Sequence, residues 1–193
     1  MKEFGMMDAI WTQFRTRLEA ALPGCTSRLA PADDASVAQF EFRVGTAFPA
    51  DFKRYLQLAG GRNDHGPSLP EFGYLSLQSL AEIQADRNML IFLFRDEPPV
   101  NHIQENKLKP RIWDPLWIPF MEFNGTDRLL IDLNPGRNGH FGQVVYDYPG
   151  NDWEADSAVR YQSFPKFIED ASDRLRKSLY EIKDGRIVFP DWP

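Results

Sequence analysis

Cysteine is almost absent from this chain of 193 residues: Cys25 stands alone, so no intramolecular disulfide can form, and a reducing, cytoplasmic setting is expected. Histidine is nearly as scarce. His65, His102 and His140 fall in three different predicted loops, and no His-x-x-x-His or Cys-x-x-Cys spacing occurs, so no metal site is expected. Cys25 follows the Pro23-Gly24 turn with no histidine near it in sequence to activate it, which argues against a catalytic thiol. Gly-x-Ser-x-Gly and phosphate-loop patterns are missing. The reading is therefore of a non-enzyme that needs no cofactor. Long apolar runs are missing as well: the longest, Met89 to Phe94, is far too short to span a bilayer. Met1 to Asp8 shows no apolar run behind a positive stretch, so no secretory signal is expected. Positive charge is the minority sign, with 22 Lys and Arg against 28 Asp and Glu and a net charge of −6. Such a chain repels phosphate backbones, which disfavours direct nucleic-acid binding, and attracts a basic protein partner.

What is present suits one domain with an ample core: 42% apolar residues, fifteen Phe and five Trp. Met7, Ile10, Trp11, Phe14, Leu18, Ala21 and Leu22 recur at three- and four-residue steps, which predicts a helix over 8–22 stopped by Pro23-Gly24. Asp33 or Asp34 caps a second helix over 34–44, with Val37, Phe40 and Val44 inward and Gly45 ending it. Pro49 opens a third over 49–59, whose buried face is Phe52, Tyr55, Leu56 and Ala59, closed by Gly60-Gly61.

Beyond residue 62 the punctuation changes. Tyr74 to Leu77 reads as a strand, and Ser79-Leu-Ala-Glu82 is a capping box opening a short helix. Met89 to Phe94 fits either a strand or a buried helix, so 86–110 stays open. Leu116 to Phe120, Leu129 to Leu133 and Gln143 to Tyr146 read as strands joined by short Gly-, Asn- and Pro-rich links, which favour antiparallel hairpins. Ser163 caps a final helix over 163–180 with Phe164, Phe167, Ile168, Ala171, Leu175 and Leu179 on one face. Asp184-Gly185 then marks a tight hairpin. The fold class is α+β: an antiparallel or mixed central sheet with helices packed on one face. A single domain over 1–180 is followed by a hairpin-like extension over 181–193.

The order of these pieces resembles the Smi/Knr family, the core of the SUKH superfamily. The matching segments are Glu41-Phe-Arg-Val-Gly45, Phe48-Pro49, Tyr55-Leu56 to Gly60-Gly61, Tyr74-Leu-Ser-Leu77, Glu82-Ile83, Leu116-Trp-Ile-Pro-Phe120, Asn124-Gly-Thr-Asp127, Asp132, Gly142-Gln-Val-Val145 and Ser163-Phe-Pro-Lys-Phe167. Thr126-Asp127 departs from the Gly-Asp usual there, and 182–193 falls outside the pattern. Independently of the resemblance, Trp117 and Phe120 sit in an apolar run and read as core. Glu41 lies beside the apolar face of its helix, where internal pairing and partner contact are both open. Asp132 to Gly139 lacks the alternating oxygen ligands of a calcium loop and reads as a turn between strands.

Residues 111–160 hold eight acids (Asp114, Glu122, Asp127, Asp132, Asp147, Asp152, Glu154, Asp156) against four bases (Arg111, Arg128, Arg137, Arg160), most of the chain's net charge in about a quarter of its length. Composition alone fits a scattered solvated surface. The resemblance implies instead a protein-binding module: many bacterial members look like immunity proteins that neutralise a cognate toxin, often a nuclease, by direct binding. Carried over, it implies a basic toxin domain as partner. Glu122, Asn124, Asp127, Asp132 and Asn134 would lie near the centre of contact, Asp147, Asp152 and Glu154 towards the rim, and Tyr146 or Trp153 would be an aromatic anchor. The alternative is a regulatory scaffold of the fungal cell-wall-synthesis type, whose long disordered extensions this compact chain lacks.

Overall fold

The computed structural model describes residues 3–27, 29–62, 71–72, 75–97, 106–123, 127–147 and 158–190. The helices are α1 (Glu3–Ala21), α2 (Asp34–Val44), α3 (Ala50–Ala59), α4 (Leu80–Leu93) and α5 (Phe164–Arg176). The strands are β1 (Leu29–Ala30), β2 (Gly61–Arg62), β3 (Glu71–Phe72), β4 (Leu75–Leu77), β5 (Trp117–Phe123), β6 (Asp127–Asp132), β7 (Gln143–Asp147), β8 (Ala158–Tyr161), β9 (Glu181–Lys183) and β10 (Arg186–Val188).

Strands β3 to β8 form one antiparallel meander in sequence order, with β6 in its interior between β5 and β7. The links between β3 and β4 and those joining β5, β6, β7 and β8 are too short for a crossover, so each of these strands turns back beside its predecessor, while β4 and β5 pair antiparallel although α4 lies between them. Alternation along β6 and β7 sends Leu129, Ile131 and Val144 into the main core and Leu130 and Val145 into a second cluster. The sheet is thus apolar on both faces. α1, α3 and α5 cover the main side through Trp11, Phe14, Phe52, Tyr55, Phe164 and Phe167. The other side is covered by Leu90 of α4 together with Leu108 and Trp113. In β5 the register shifts between Pro119 and Met121, where proline has no ladder donor to lose. Both Phe120 and Met121 then enter the main core, while Trp117 packs edge-on against Trp113, ring centres 5.6 Å apart, in the second cluster.

The caps follow from local chemistry. The Asp33 carboxylate accepts from the amides of Ala35 and Ser36 at the start of α2. Ser79 and Glu82 form the reciprocal capping box of α4. The first part of the open stretch is helix: α4 continues through Leu93, so Met89 to Phe94 is neither strand nor a fully buried run, and Met89, Phe92 and Leu93 are exposed, while residues 98–105 lie outside the described residues. The last helix stops at Arg176, short of 180, because Ser178 takes a positive φ of 56°, and Leu179 is consequently exposed. Tyr74 lies outside the described residues. No helix among the described residues is long and apolar enough to cross a membrane.

The C-terminal hairpin β9–β10 turns on Asp184 and Gly185, both at positive φ (50° and 74°), the geometry that Asp-Gly is selected for. It is no mere appendage. Ile187 and Phe189 are fully buried in the main core. Phe189→Ala should therefore cost about 3–5 kcal/mol of stability in urea unfolding, and a chain ending at residue 180 should lose its cooperative transition.

Candidate functional site

Strand β6 carries the charged residues on which the site depends, and its two ends differ. Asp127 and Asp132 stand five residues apart, about 17 Å along an extended strand, so they belong to separate environments.

At the Asp132 end the carboxylate is fully buried. The amide of Asn134 donates to Oδ1 at 2.8 Å, Nε2 of Gln143 donates to Oδ2 at 2.8 Å, and the Trp117 side chain also hydrogen-bonds to it. Gln143 and Trp117 are its cross-strand neighbours in β7 and β5. Nδ2 of Asn134 donates to Oδ2 of buried Asp114 at 2.8 Å, and Lys109 Nζ donates to Asn134 Oδ1. The loop after β6 is strapped to residues 106–107: Gly136 N donates to the Lys107 carbonyl and Asn138 N to the Asn106 carbonyl. A Cβ at Gly136 or Gly139 would run into those carbonyls, so close backbone approach explains both glycines. The turn reading of Asp132 to Gly139 holds. Burial, the largest influence, pushes the Asp132 carboxyl up to about 6, against the three donors that favour its charged form. That value suits proton transfer, yet no substrate can reach a group with no exposed surface.

At the other end, Glu122, Arg128 and Asp147 stand in one row across β5, β6 and β7. Arg128 is buried, and Asp86 of α4 takes its guanidinium in a two-pronged pair, Nε to Oδ2 at 3.0 Å and Nη2 to Oδ1 at 3.1 Å. Three carboxylates thus meet or flank one buried cation. On the opposite face Asp127 is half-buried: Oδ2 accepts from the Tyr146 hydroxyl at 3.3 Å, and Oδ1 is buried without a hydrogen-bond partner among the described residues. The Arg160 guanidinium lies over the Tyr146 ring at 5.3 Å.

The ten residues implied as a contact surface are therefore not one surface. Asn124, Asp152, Trp153 and Glu154 lie outside the described residues. Asp132 and Asp147 are buried, so neither offers a carboxylate to a partner, as centre or as rim. The reason is that β6 and β7 are covered on both faces. Asn134 is half-buried and tied to Asp114 and Lys109. Glu122, Asp127 and Tyr146 are half-buried at one end of the sheet, where Phe123, Asp127, Asp147 and Ala158 flank the β5–β6 and β7–β8 connections. Glu41 is internal: it accepts from the Phe48 amide at 2.8 Å and pairs with Lys53 at 2.6 Å, fastening α2 to α3.

Sequence reading missed Asp86 and Gln143, which carry no local signal because their partners are 42 and 11 residues away. Asp114 was readable, since an Asp-Pro pair favours a turn and its Oδ1 accepts from the Leu116 amide at 2.9 Å. Burial pushes the Cys25 thiol up to about 12, which keeps it protonated and unreactive at neutral pH. Among the described residues no group of three or more His, Cys, Asp and Glu is placed to hold a metal ion.

Two measurements check this assignment. Because the Asp132 carboxyl lies above the ordinary aspartate value, the folded state binds its proton more tightly than the unfolded one. Its contribution is greatest below about pH 4 and is lost as pH rises through about 6. Wild type should lose about 2–3 kcal/mol relative to Asp132→Asn between pH 4 and 7, in parallel urea titrations. Arg128→Ala, which strands Asp86 without its cation, should cost about 3–5 kcal/mol, and Arg128→Met with Asp86→Leu should recover most of it.

Residues 31–170 match the SMI1 / KNR4 family (SUKH-1), a span running from just before α2 into α5 and covering more than half of the chain. Among curated proteins, none matches the chain. α1 and the β9–β10 hairpin fall outside the matched span although both are packed into the same core. On the matched span and the fold that it forms, the chain belongs to the SMI1 / KNR4 family (SUKH-1).

Proposed function

We propose that this protein is an immunity-type binding module that neutralises a basic toxin domain by covering its active surface, without turnover of its own. Family membership supports a protein-binding role. The observation that carries the finer reading is the end of the sheet where Asp127 sits half-exposed beside Tyr146 on one face and Glu122, one register step away on the neighbouring strand, sits half-exposed on the other. A net charge of −6 adds a long-range field of the same sign. A basic domain is drawn to such an end, and Tyr146 supplies a flat apolar body with a polar tip at the contact.

The burial of Asp132 changes which variants test this. Asp132→Lys buries a second charge type where three donors already converge, and should unfold the domain. Glu122→Gln with Asp127→Asn removes both charges without setting a new cation beside buried Arg128. The partner is obtained by affinity capture from the native host and identified by mass spectrometry, then titrated against both forms. The double variant should keep its melting temperature within a few degrees and slow association at least tenfold at low salt. Wild-type association should slow as salt rises from about 10 mM to 150 mM, where the screening length falls from about 30 Å to 8 Å. Unchanged binding with an intact melt overturns this docking end. A captured partner that is a signalling or cell-wall-synthesis protein replaces the immunity reading with the regulatory one.

A further inference from the structure

Two tyrosines on the main-core side of the sheet each donate a hydrogen bond to an aspartate, and only one of the two pairs holds a cation. In the complete one, the Tyr161 hydroxyl of β8 donates to Oδ2 of Asp170 in α5 at 2.8 Å, and Arg174 Nε donates to the same oxygen at 3.2 Å. In the other, the Tyr146 hydroxyl of β7 donates to Oδ2 of Asp127 in β6 at 3.3 Å. Among the described residues no cation pairs with Asp127. The connections beside it, residues 124–126 and 148–157, contain no Lys, Arg or His. Arg160 comes close without completing the set. The β7–β8 ladder sets Val145 against Val159 and Val144 against Tyr161, so Arg160 is the extra residue of a bulge, a device that re-aims a side chain. Its exposed guanidinium lies over the Tyr146 ring, 5.3 Å from the centre, and makes no ion pair with Asp127. Ala158, directly across from Tyr146, is too small to cover that ring.

We infer that Asp127 and Tyr146 form a seat for an arginine side chain of the partner, which displaces Arg160 from the ring and donates to Asp127 Oδ2 as Arg174 donates to Asp170. The choice of a partner as occupant rests on the docking reading above; the seat itself does not. Oδ1 of Asp127 is buried, so a new donor comes to Oδ2. Asp170 shows that one such oxygen accepts a tyrosine hydroxyl and a guanidinium together. The chemistry selects arginine over lysine. A planar guanidinium covers an aromatic face and still points an N–H at a carboxylate beside the ring, whereas an ammonium is a compact, strongly hydrated point charge. Arg160 holds the ring in the free protein and, being exposed, leaves for solvent at little cost. Until it leaves, it competes for the ring and its charge opposes a basic partner, so its removal strengthens binding.

The seat is tested without a partner, by following the tyrosine ring signals of the labelled full chain in NMR titrations with N-acetyl-arginine amide and N-acetyl-lysine amide. Tyr146→Phe identifies the Tyr146 signal by its loss. That signal should move with the arginine amide, with a dissociation constant on the order of tens of millimolar, and bind the lysine amide at least threefold more weakly. Arg160→Gln should bind the arginine amide at least threefold more tightly than wild type, and Asp127→Asn should lose the preference for arginine. Arg160 is exposed, so its variant decides the matter even where Asp127→Asn lowers the melting temperature. No movement of the Tyr146 signal, equal affinity for the two amides, or an Arg160→Gln variant no tighter than wild type overturns the seat. The captured partner should likewise bind Arg160→Gln at least threefold more tightly. Amide results as expected with partner affinity unchanged overturn the partner arginine as the occupant. The docking end as a whole is judged separately, by the Glu122→Gln with Asp127→Asn titration.

Discussion

The buried pair of Arg128 and Asp86 fixes how the second side of the sheet is covered. Strand β6 lies between two neighbours and is apolar on both faces at Leu129, Leu130 and Ile131, so a guanidinium on it has no route to solvent. Its charge must be met inside, and the carboxylate that meets it comes from α4. That one requirement sets the helix on the sheet, aims Leu90 at the second cluster, and turns the face of Met89 and Phe92 outward. A buried ion pair contributes little net stability compared with apolar replacements, but it penalises every other placement of the helix.

Asp132 makes the same argument at the far end of the strand. Its carboxylate is desolvated and its proton affinity raised, yet donors from three different segments converge on it. The consequence is that the loop after β6 and the segment before β5 close over the sheet as a unit, with Asp114, Asn134 and Lys109 completing the network. Polar groups that a charge count treats as surface are here the fasteners of the interior.

This redistribution reshapes the electrostatic picture. Of the acids that make residues 111–160 look like a negative patch, Asp114, Asp132 and Asp147 are interior, and Arg128, counted as a surface base, is interior as well. Among the described residues, the carboxylates that reach solvent at this end of the sheet are Glu122 and Asp127, superimposed on the charge of the whole chain.

The sequence by itself determined the elements that rest on local chemistry. The helical faces of α1, α2, α3 and α5, the Asp33 cap, the Ser79–Glu82 box and the Asp184-Gly185 turn each depend on residues within a few positions of one another, and periodicity exposes them directly. The antiparallel order of the strands from Trp117 to Asp147 follows from short links. Three things only the tertiary structure decided. The hairpin after residue 181 reads as an addition because nothing local shows that Ile187 and Phe189 fill the main core. The run at Met89 could not be assigned, because a short apolar run fits a strand or a helix equally well until what packs against it is known. Which carboxylates face solvent was equally invisible, since an aspartate in a strand looks the same in sequence whether the sheet is covered on one side or on two. Burial is a property of what packs on the other face, and that partner is never a sequence neighbour.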